Sequence, residues 1–245
     1  MDIDLTGRAA VITGGTAGIG RSVAATLVAL GASALLTYRS DDERAAAVVA
    51  EFGPRTAAHR ADNARPGSAV EIVEAAVERF GRLDVLVANA GETGRSPIGG
   101  TEPGTYDRVF DANVRAAWEL MEAASPHLGH GGRIVLLSSV RTVMSTPGTG
   151  LYAASKAAVE AMVPIVAKEL GPRGVTVNAV APGATDTALL RSVNDQAAID
   201  AMAADTPLGR VGRPDDIAGV VGFLATPAAG WVTGQVIGAT GGLGL

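Results

Sequence analysis

The chain has 245 residues, 47% of them hydrophobic, a formal net charge of -5 and no cysteine. That length and apolar content can bury one sizeable core, and the mildly acidic balance argues against nucleic acid as a partner, because phosphate binding needs a basic face. The absence of cysteine excludes disulfides and thiolate chemistry, and His59, His127 and His130 form no metal-ligand spacing, so no metal is expected.

The first seven residues carry two aspartates and no apolar run, which is unlike a secretory signal. No stretch approaches ~20 consecutive apolar residues, so no membrane partner is expected and the cytoplasm is the default compartment. Strands are then predicted over 9–13, 34–37, 56–60, 85–89, 133–138, 176–180 and 235–237. They are almost continuously apolar, as strands are when both sheet faces are covered. Between them, helical patterns run over 19–30, 41–52, 67–80, 103–124, 152–170 and 214–225. Gly31, Gly53, Gly81 and Gly171 stand where helices stop, and Ser40-Asp41-Asp42-Glu43 reads as a capping box for the second helix. The alternation implies an α/β fold: a Rossmann-type, doubly wound parallel sheet of seven strands with helices on both faces. No linker divides the chain, so residues 1–245 form one domain. The interruption at 184–211 is expected to be a mobile flap over the site.

Between the first strand and helix stands Thr13-Gly14-Gly15-Thr16-Ala17-Gly18-Ile19-Gly20. A tight glycine turn opening a helix presents unpaired backbone N–H groups, and the helix dipole adds positive potential there, so an anion binds well. Gly14 can turn the chain, Gly18 can let backbone approach a pyrophosphate, and Gly20 can let helix pack on strand; Thr16 and Ile19 lie in the same cradle. Taken alone, the stretch also fits an ordinary turn without ligand. Its spacing is neither Gly-x-Gly-x-x-Gly nor a Walker loop.

Further motifs follow in order: Asn89-Ala90-Gly91 after the fourth strand, Asn113, Ser139, Tyr152-Ala153-Ala154-Ser155-Lys156, and Pro182-Gly183 with Thr187. With the glycine turn, they make the chain resemble the short-chain dehydrogenase/reductase family over nearly its whole length. The resemblance implies nicotinamide-dependent interconversion of carbonyl and alcohol. It implies that Asn89, Ala90 and Gly91 face the cofactor, that Asp62, with Asn63 beside it, meets the adenine, and that Pro182, Gly183, Thr185 and Thr187 shape the nicotinamide end. It also implies that Asn113 holds a water relaying protons to Lys156, and that the chain forms a homotetramer through helices 103–124 and 152–170 and the C-terminal strand, where 241–245 is apolar.

The residues give their own reading of that chemistry. Tyr152 and Lys156 lie four apart and share a helix face. A free tyrosine titrates near pH 10, and a nearby ammonium favours the phenolate and lowers that value, which would suit Tyr152 as acid and base and both residues as neighbours of the cofactor. The spacing alone also fits a surface pair. Ser139 ends the fifth strand, at the sheet edge where open α/β folds bind ligands, so its hydroxyl can bond the substrate oxygen; a capping role suits Ser138 better. Asn113 falls inside a helix, where asparagine is a poor residue.

An acid about 20 residues past the glycine turn selects NAD by bonding the ribose 2′-hydroxyl. Here Tyr38 fills that place, followed by Arg39 and Ser40, a guanidinium fork and a hydroxyl suited to a 2′-phosphate. The cofactor is therefore expected to be NADP(H). Asp41 and Asp42 argue the other way unless they serve the helix dipole, and Ala17 lacks a supporting positive charge.

Residues 209–218 and 232–235 are similar to those of 3-oxoacyl-acyl-carrier-protein reductases and secondary-alcohol dehydrogenases. Two departures stand out. Arg173 could meet an acidic carrier, but 127–130 reads His-Leu-Gly-His, and Thr240 replaces the family's usual aspartate. Substrate-pocket positions are expected at 92–97, 140–149 and 184–204, where the apolar stretch 143–147 fits a modest hydrophobic ketone; Trp118 is expected in the core or at a subunit interface. The substrate is thus a small ketone or alcohol. The rival readings are an NAD-dependent alcohol or sugar dehydrogenase and, more remotely, a non-catalytic dinucleotide-binding regulator.

Overall fold

The fold is seen in a computed structural model that describes residues 2–244. Seven parallel strands form one sheet in the order β3-β2-β1-β4-β5-β6-β7. They are β1 (Ala9–Ile12), β2 (Ser33–Tyr38), β3 (Thr56–Arg60), β4 (Leu83–Ala88), β5 (Leu128–Leu137), β6 (Thr176–Pro182) and β7 (Val236–Ala239). All four residues of β1 are buried. Val11 belongs to one core while Ala10 and Ile12 belong to the other, which is why the strand reads as continuously apolar.

One core packs α3 (Ser68–Phe80), α5 (Ala116–Ala124) and α6 (Gly150–Leu170) on the sheet. The other packs α1 (Gly18–Ala29) and α9 (Pro214–Ala225), with Val48 of α2 (Asp42–Phe52). α6 has the length and hydropathy of a membrane-crossing helix, but its Val159, Val163, Val166, Ala167 and Leu170 are buried against the sheet. Strand order reverses between β1 and β4, so a crevice opens at their carboxyl ends. The glycine turn follows β1 and Asn89-Ala90-Gly91 follows β4, both at that crevice.

Several local expectations are corrected. Asp41, not Ser40, caps α2: its carboxylate accepts from the Arg44 amide at 2.9 Å, because the helix begins one residue later than the capping-box pattern requires. Gly171 does not stop α6; its φ of -52° continues into a 3₁₀ turn (Gly171–Arg173) that ends at Gly174, φ +71°. The helix expected over 103–124 is three pieces: α4 (Thr105–Phe110), a π-helical turn (Asp111–Arg115) and α5. β5 starts at Leu128, so the basic-loop position falls partly in a strand. Arg173 is exposed, as its place in a carrier-facing patch requires, and its Nη2 donates to the carbonyls of Ser125 and Leu128 at 2.6 and 2.5 Å. The stretch 184–211 holds two short helices, α7 (Ala188–Val193) and α8 (Gln196–Ala204), and Ile199 is the residue of these helices that is buried. Trp118 is exposed on α5, not in the core.

Candidate active site

The glycine turn is held from both neighbouring strands. The Gly14 amide donates to Thr37 Oγ1 at 3.1 Å, and Asn89 Nδ2 donates to the Thr13 carbonyl at 2.8 Å. Thr13 Oγ1 accepts from the amides of Asn89 and Ala90, both at 3.0 Å. Thr13 and Thr37, with Asn89, thus lock the turn to β4 and β2. Gly14 and Gly18 have φ of +64° and +51°, a region that favours glycine. A Cβ on Gly20 would stand 2.3 Å from the Gly14 oxygen, so turn and helix touch there. Ala17 precedes α1 without a side-chain cap, and among the described residues no hydrogen bond is formed by the amides of Gly18, Ile19 and Gly20. Those donors at a dipole N-terminus, with Thr16 buried beside them, fit the pyrophosphate of a dinucleotide.

On the β5 side, Ser139 and Lys156 are buried and Tyr152 is half-buried. Ser139 caps a 3₁₀ turn (Val140–Thr142), its Oγ accepting from the Arg141 amide at 3.2 Å. Ser138 instead donates to Glu160 Oε1 at 2.6 Å, so the expected roles of the two serines are exchanged as to capping. Acting as acceptor leaves the Ser139 O–H free to donate to a substrate oxygen. Lys156 Nζ donates to the Leu137 carbonyl at 2.8 Å, which pins α6 to the end of β5.

Burial pushes the Tyr152 phenol above its ordinary value, against smaller opposite pulls from Ser139 and the Arg141 charge. This corrects the expected lowering by Lys156, whose ammonium is directed at a carbonyl. An ordinary phenol is already protonated near neutral pH, and the raised value keeps Tyr152 in that form. Burial also lowers Lys156 to about 8. Between about pH 8 and the usual 10.5, the folded chain has released a proton that the unfolded chain keeps, so stability rises with pH across that window. Lys156→Met is expected to remove that rise, as measured by urea midpoints at pH values across it. An unchanged pH slope would contradict the assignment.

Asn113 lies in the π-helical turn, whose wider winding explains how asparagine is accommodated inside a helical run. Its Oδ1 accepts from the Glu92 amide at 2.8 Å, and its Nδ2 donates to the Glu92 carbonyl and to Ser155 Oγ, both at 2.9 Å. Ser155 in turn donates to the Tyr152 carbonyl at 2.7 Å. Asn113 therefore braces the strand exit at Gly91 and α6 together, and the Ser155 contact was missed because its partner is distant in sequence. A small cavity adjoins Thr13, Asn63, Ala90, Asn113, Leu137 and Lys156. A Cβ on Gly91 would lie 2.6 Å from Asn113 Oδ1 and 3.3 Å from Lys156 Nζ, so Gly91 closes over both.

At the ribose end, Arg39 is exposed and pairs with Glu92 at 3.3 Å, while Ser40 is exposed beside it. Asp41 caps α2 and Asp42 pairs with Arg60 at 3.6 Å, as first-turn acids do. Asp62 Oδ1 accepts from the Ala64 amide at 3.0 Å, and Asn63 Oδ1 accepts from Thr37 at 3.3 Å, which places both at the exit of β3. Across the crevice, Pro182 ends β6 and the Gly183 amide donates to the Ala239 carbonyl at 3.0 Å. A Cβ on Gly183 would meet Thr240 at 2.9 Å, and Thr240 Oγ1 accepts from the Gly242 amide at 3.2 Å. Thr240 thus secures the C-terminal turn with a hydroxyl. Thr185 is buried and donates to the Gly183 carbonyl at 3.0 Å. Thr187 caps α7 and lies within 3.4 Å of the position a Cβ would take on Gly18, so the start of the 184–211 segment reaches the glycine turn.

A family model described as "Enoyl-(Acyl carrier protein) reductase" matches residues 14–244. An uncharacterized oxidoreductase of Methylorubrum extorquens is 43% identical over 247 residues, 98% of each chain. A dehydrogenase/reductase from Sinorhizobium meliloti superposes with a TM-score of 0.95 at 40% identity, over 100% of this chain and 98% of its own. A short chain dehydrogenase from Burkholderia cenocepacia, solved in complex with NADP, has a TM-score of 0.94 at 39% identity, over 98% of this chain and 99% of its own.

Proposed function

The chain belongs to the short-chain dehydrogenase/reductase family of oxidoreductases, and from that membership we propose an NADP(H)-dependent enzyme that interconverts a ketone and a secondary alcohol by hydride transfer. The observation that carries this reading is the gathering of Ser139, Tyr152 and Lys156 beside a glycine turn with free helix amides. When bound, the nicotinamide supplies or accepts the hydride. The chain's own residues do the rest. Ser139 donates to the substrate oxygen. Tyr152, protonated near neutral pH, delivers a proton to that oxygen during reduction. Lys156 holds the ribose end of the cofactor and takes part in returning the proton. Asn113 keeps Gly91 and α6 in place, and the cavity beside Lys156 is polar enough for the relay water. The 184–211 segment closes over the substrate.

NADP(H) in place of NAD(H) is supported by Arg39 and Ser40 and by the NADP bound to the Burkholderia relative. Arg39→Ala is expected to weaken NADPH by about tenfold, the scale of one charge-assisted pair, and to leave NADH little changed. A wild-type kcat/KM ratio favouring NADH would overturn the cofactor assignment. A regulator without activity would have no need of a buried Lys156. We also propose a homotetramer in the cytoplasm, supported by exposed Trp118 on α5, Ile165 on α6 and Val236 on β7. Light scattering that reports a monomer would remove the assembly.

A further inference from the structure

Two arginines stand near Ser139 and Tyr152. Arg141 sits two residues beyond Ser139, its amide bonded to the Ser139 hydroxyl and its guanidinium donating to Thr146 Oγ1. Thr146 belongs to the loop that leads into α6 and Tyr152, where the Thr149 hydroxyl donates to the Thr146 carbonyl at 2.8 Å. Arg95 follows Asn89-Ala90-Gly91 on the opposite wall. Its neighbour Ser96 donates its amide to the Gly148 carbonyl at 2.7 Å, and a Cβ on Gly148 would lie 3.8 Å from Arg95 Cβ. One loop thus holds both residues near Tyr152.

Their charges are felt at the site. Burial, and then the like charge of Arg95, lower Arg141, and the Arg141 charge reaches Tyr152. Neither arginine takes part in an ion pair among the described residues. The nearby carboxylates are engaged elsewhere: Glu92 with Arg39 and Arg108, and Glu160 with Ser138 and Thr142. Two like charges in a half-buried cleft repel, and an oxyanion between them converts that cost into attraction. A guanidinium fork matches the two oxygens of a carboxylate.

We propose that Arg95 and Arg141 form an oxyanion subsite beside Ser139 and Tyr152, and that the substrate is a ketone bearing a carboxylate. This rests on the reading of the crevice as a carbonyl-reducing site. It replaces the hydrophobic ketone suggested by 143–147 with a keto acid whose chain lies along that loop.

The test compares oxo acids of increasing chain length with their methyl esters, using NADPH and the intact protein. At the best length, the acid is expected to exceed its ester by about tenfold or more in kcat/KM, chiefly through KM. The acid-to-ester ratio is expected to fall toward one in Arg141→Gln and in Arg95→Gln. Arg95 is exposed and makes no side-chain hydrogen bond among the described residues, so its variant keeps the test open if Arg141→Gln folds poorly. Taking the ratio within each variant cancels any effect of Arg141 on Tyr152. Equal rates for acid and ester, or a ratio that Arg95→Gln leaves unchanged, would overturn the subsite while leaving ketone reduction intact. No oxidation of NADPH with any acid or ester would overturn the reading beneath it as well. A keto phosphate preferred over every keto acid would overturn the choice of carboxylate.

Discussion

Tyr152→Phe is expected to slow ketone reduction by about 10²–10⁴-fold while NADPH binds as before, the range for losing a positioned general acid. The phenol is half-buried at the start of α6, is protonated near neutral pH, and is raised further by burial. Removing its oxygen leaves Ser139 as a donor to the substrate oxygen but leaves nothing to release a proton. The ring remains, so packing changes little. Stopped-flow fluorescence of NADPH gives the binding arm and steady-state absorbance gives the turnover arm. Turnover within a few-fold of the parent would remove Tyr152 from the mechanism. The pH dependence adds a sign: with the phenol as donor, reduction declines as pH rises through its raised value, whereas alcohol oxidation improves.

Gly20→Ala is expected to damage both stability and cofactor binding. The added methyl would stand 2.3 Å from the Gly14 oxygen and 2.6 Å from Asn89 Nδ2, so the turn must move away from the helix or Asn89 must leave Thr13. Overpacking of this kind costs about 1–3 kcal/mol. In a chain of this size that lowers the melting temperature by roughly 2–12 °C. Displaced turn amides also lose their aim at the pyrophosphate, and a loss of about 1.4 kcal/mol is a tenfold weaker NADPH complex. Gly219→Ala on α9 is the control: a Cβ there meets nothing within 4 Å, so the variant is expected to be neutral or slightly stabilised. If Gly20→Ala melts and binds like the parent, the turn does not act as the cradle described here.

The sheet was legible because its strands are buried on both faces and read as apolar runs, as Ala9–Ile12 does. Alternation implied a doubly wound parallel sheet, but the strand order that opens the crevice between β1 and β4 is visible only in the structure. What was not legible depended on direction. Tyr152 and Lys156 share a helix face, yet spacing could not tell that the ammonium turns to the Leu137 carbonyl and that burial, not charge, governs the phenol. Ser138 and Ser139 are adjacent, and only the turn after β5 decides which one caps. Asn113 was singled out as an uncomfortable helix residue, but the π-helical turn that relieves it needs the backbone to be seen. Arg173 is exposed as expected, but composition gives a residue's charge and not its partners, and the Ser125 and Leu128 carbonyls that it bonds lie far away in sequence. Thr13 and Thr37 went unassigned for the same reason: a threonine next to a glycine turn carries no signal of the strand that it locks.

Hydride transfer from NADPH to a ketone at this crevice is followed by incubating the protein with a ketone panel, oxo acids included, and NADPH carrying deuterium at either face of nicotinamide C4. The products are then read by mass spectrometry. The expected result is an alcohol with one deuterium at the carbinol carbon from one labelled face and none from the other. Unlabelled alcohol from both cofactors, or deuterium delivered from NADH but not from NADPH, would contradict it.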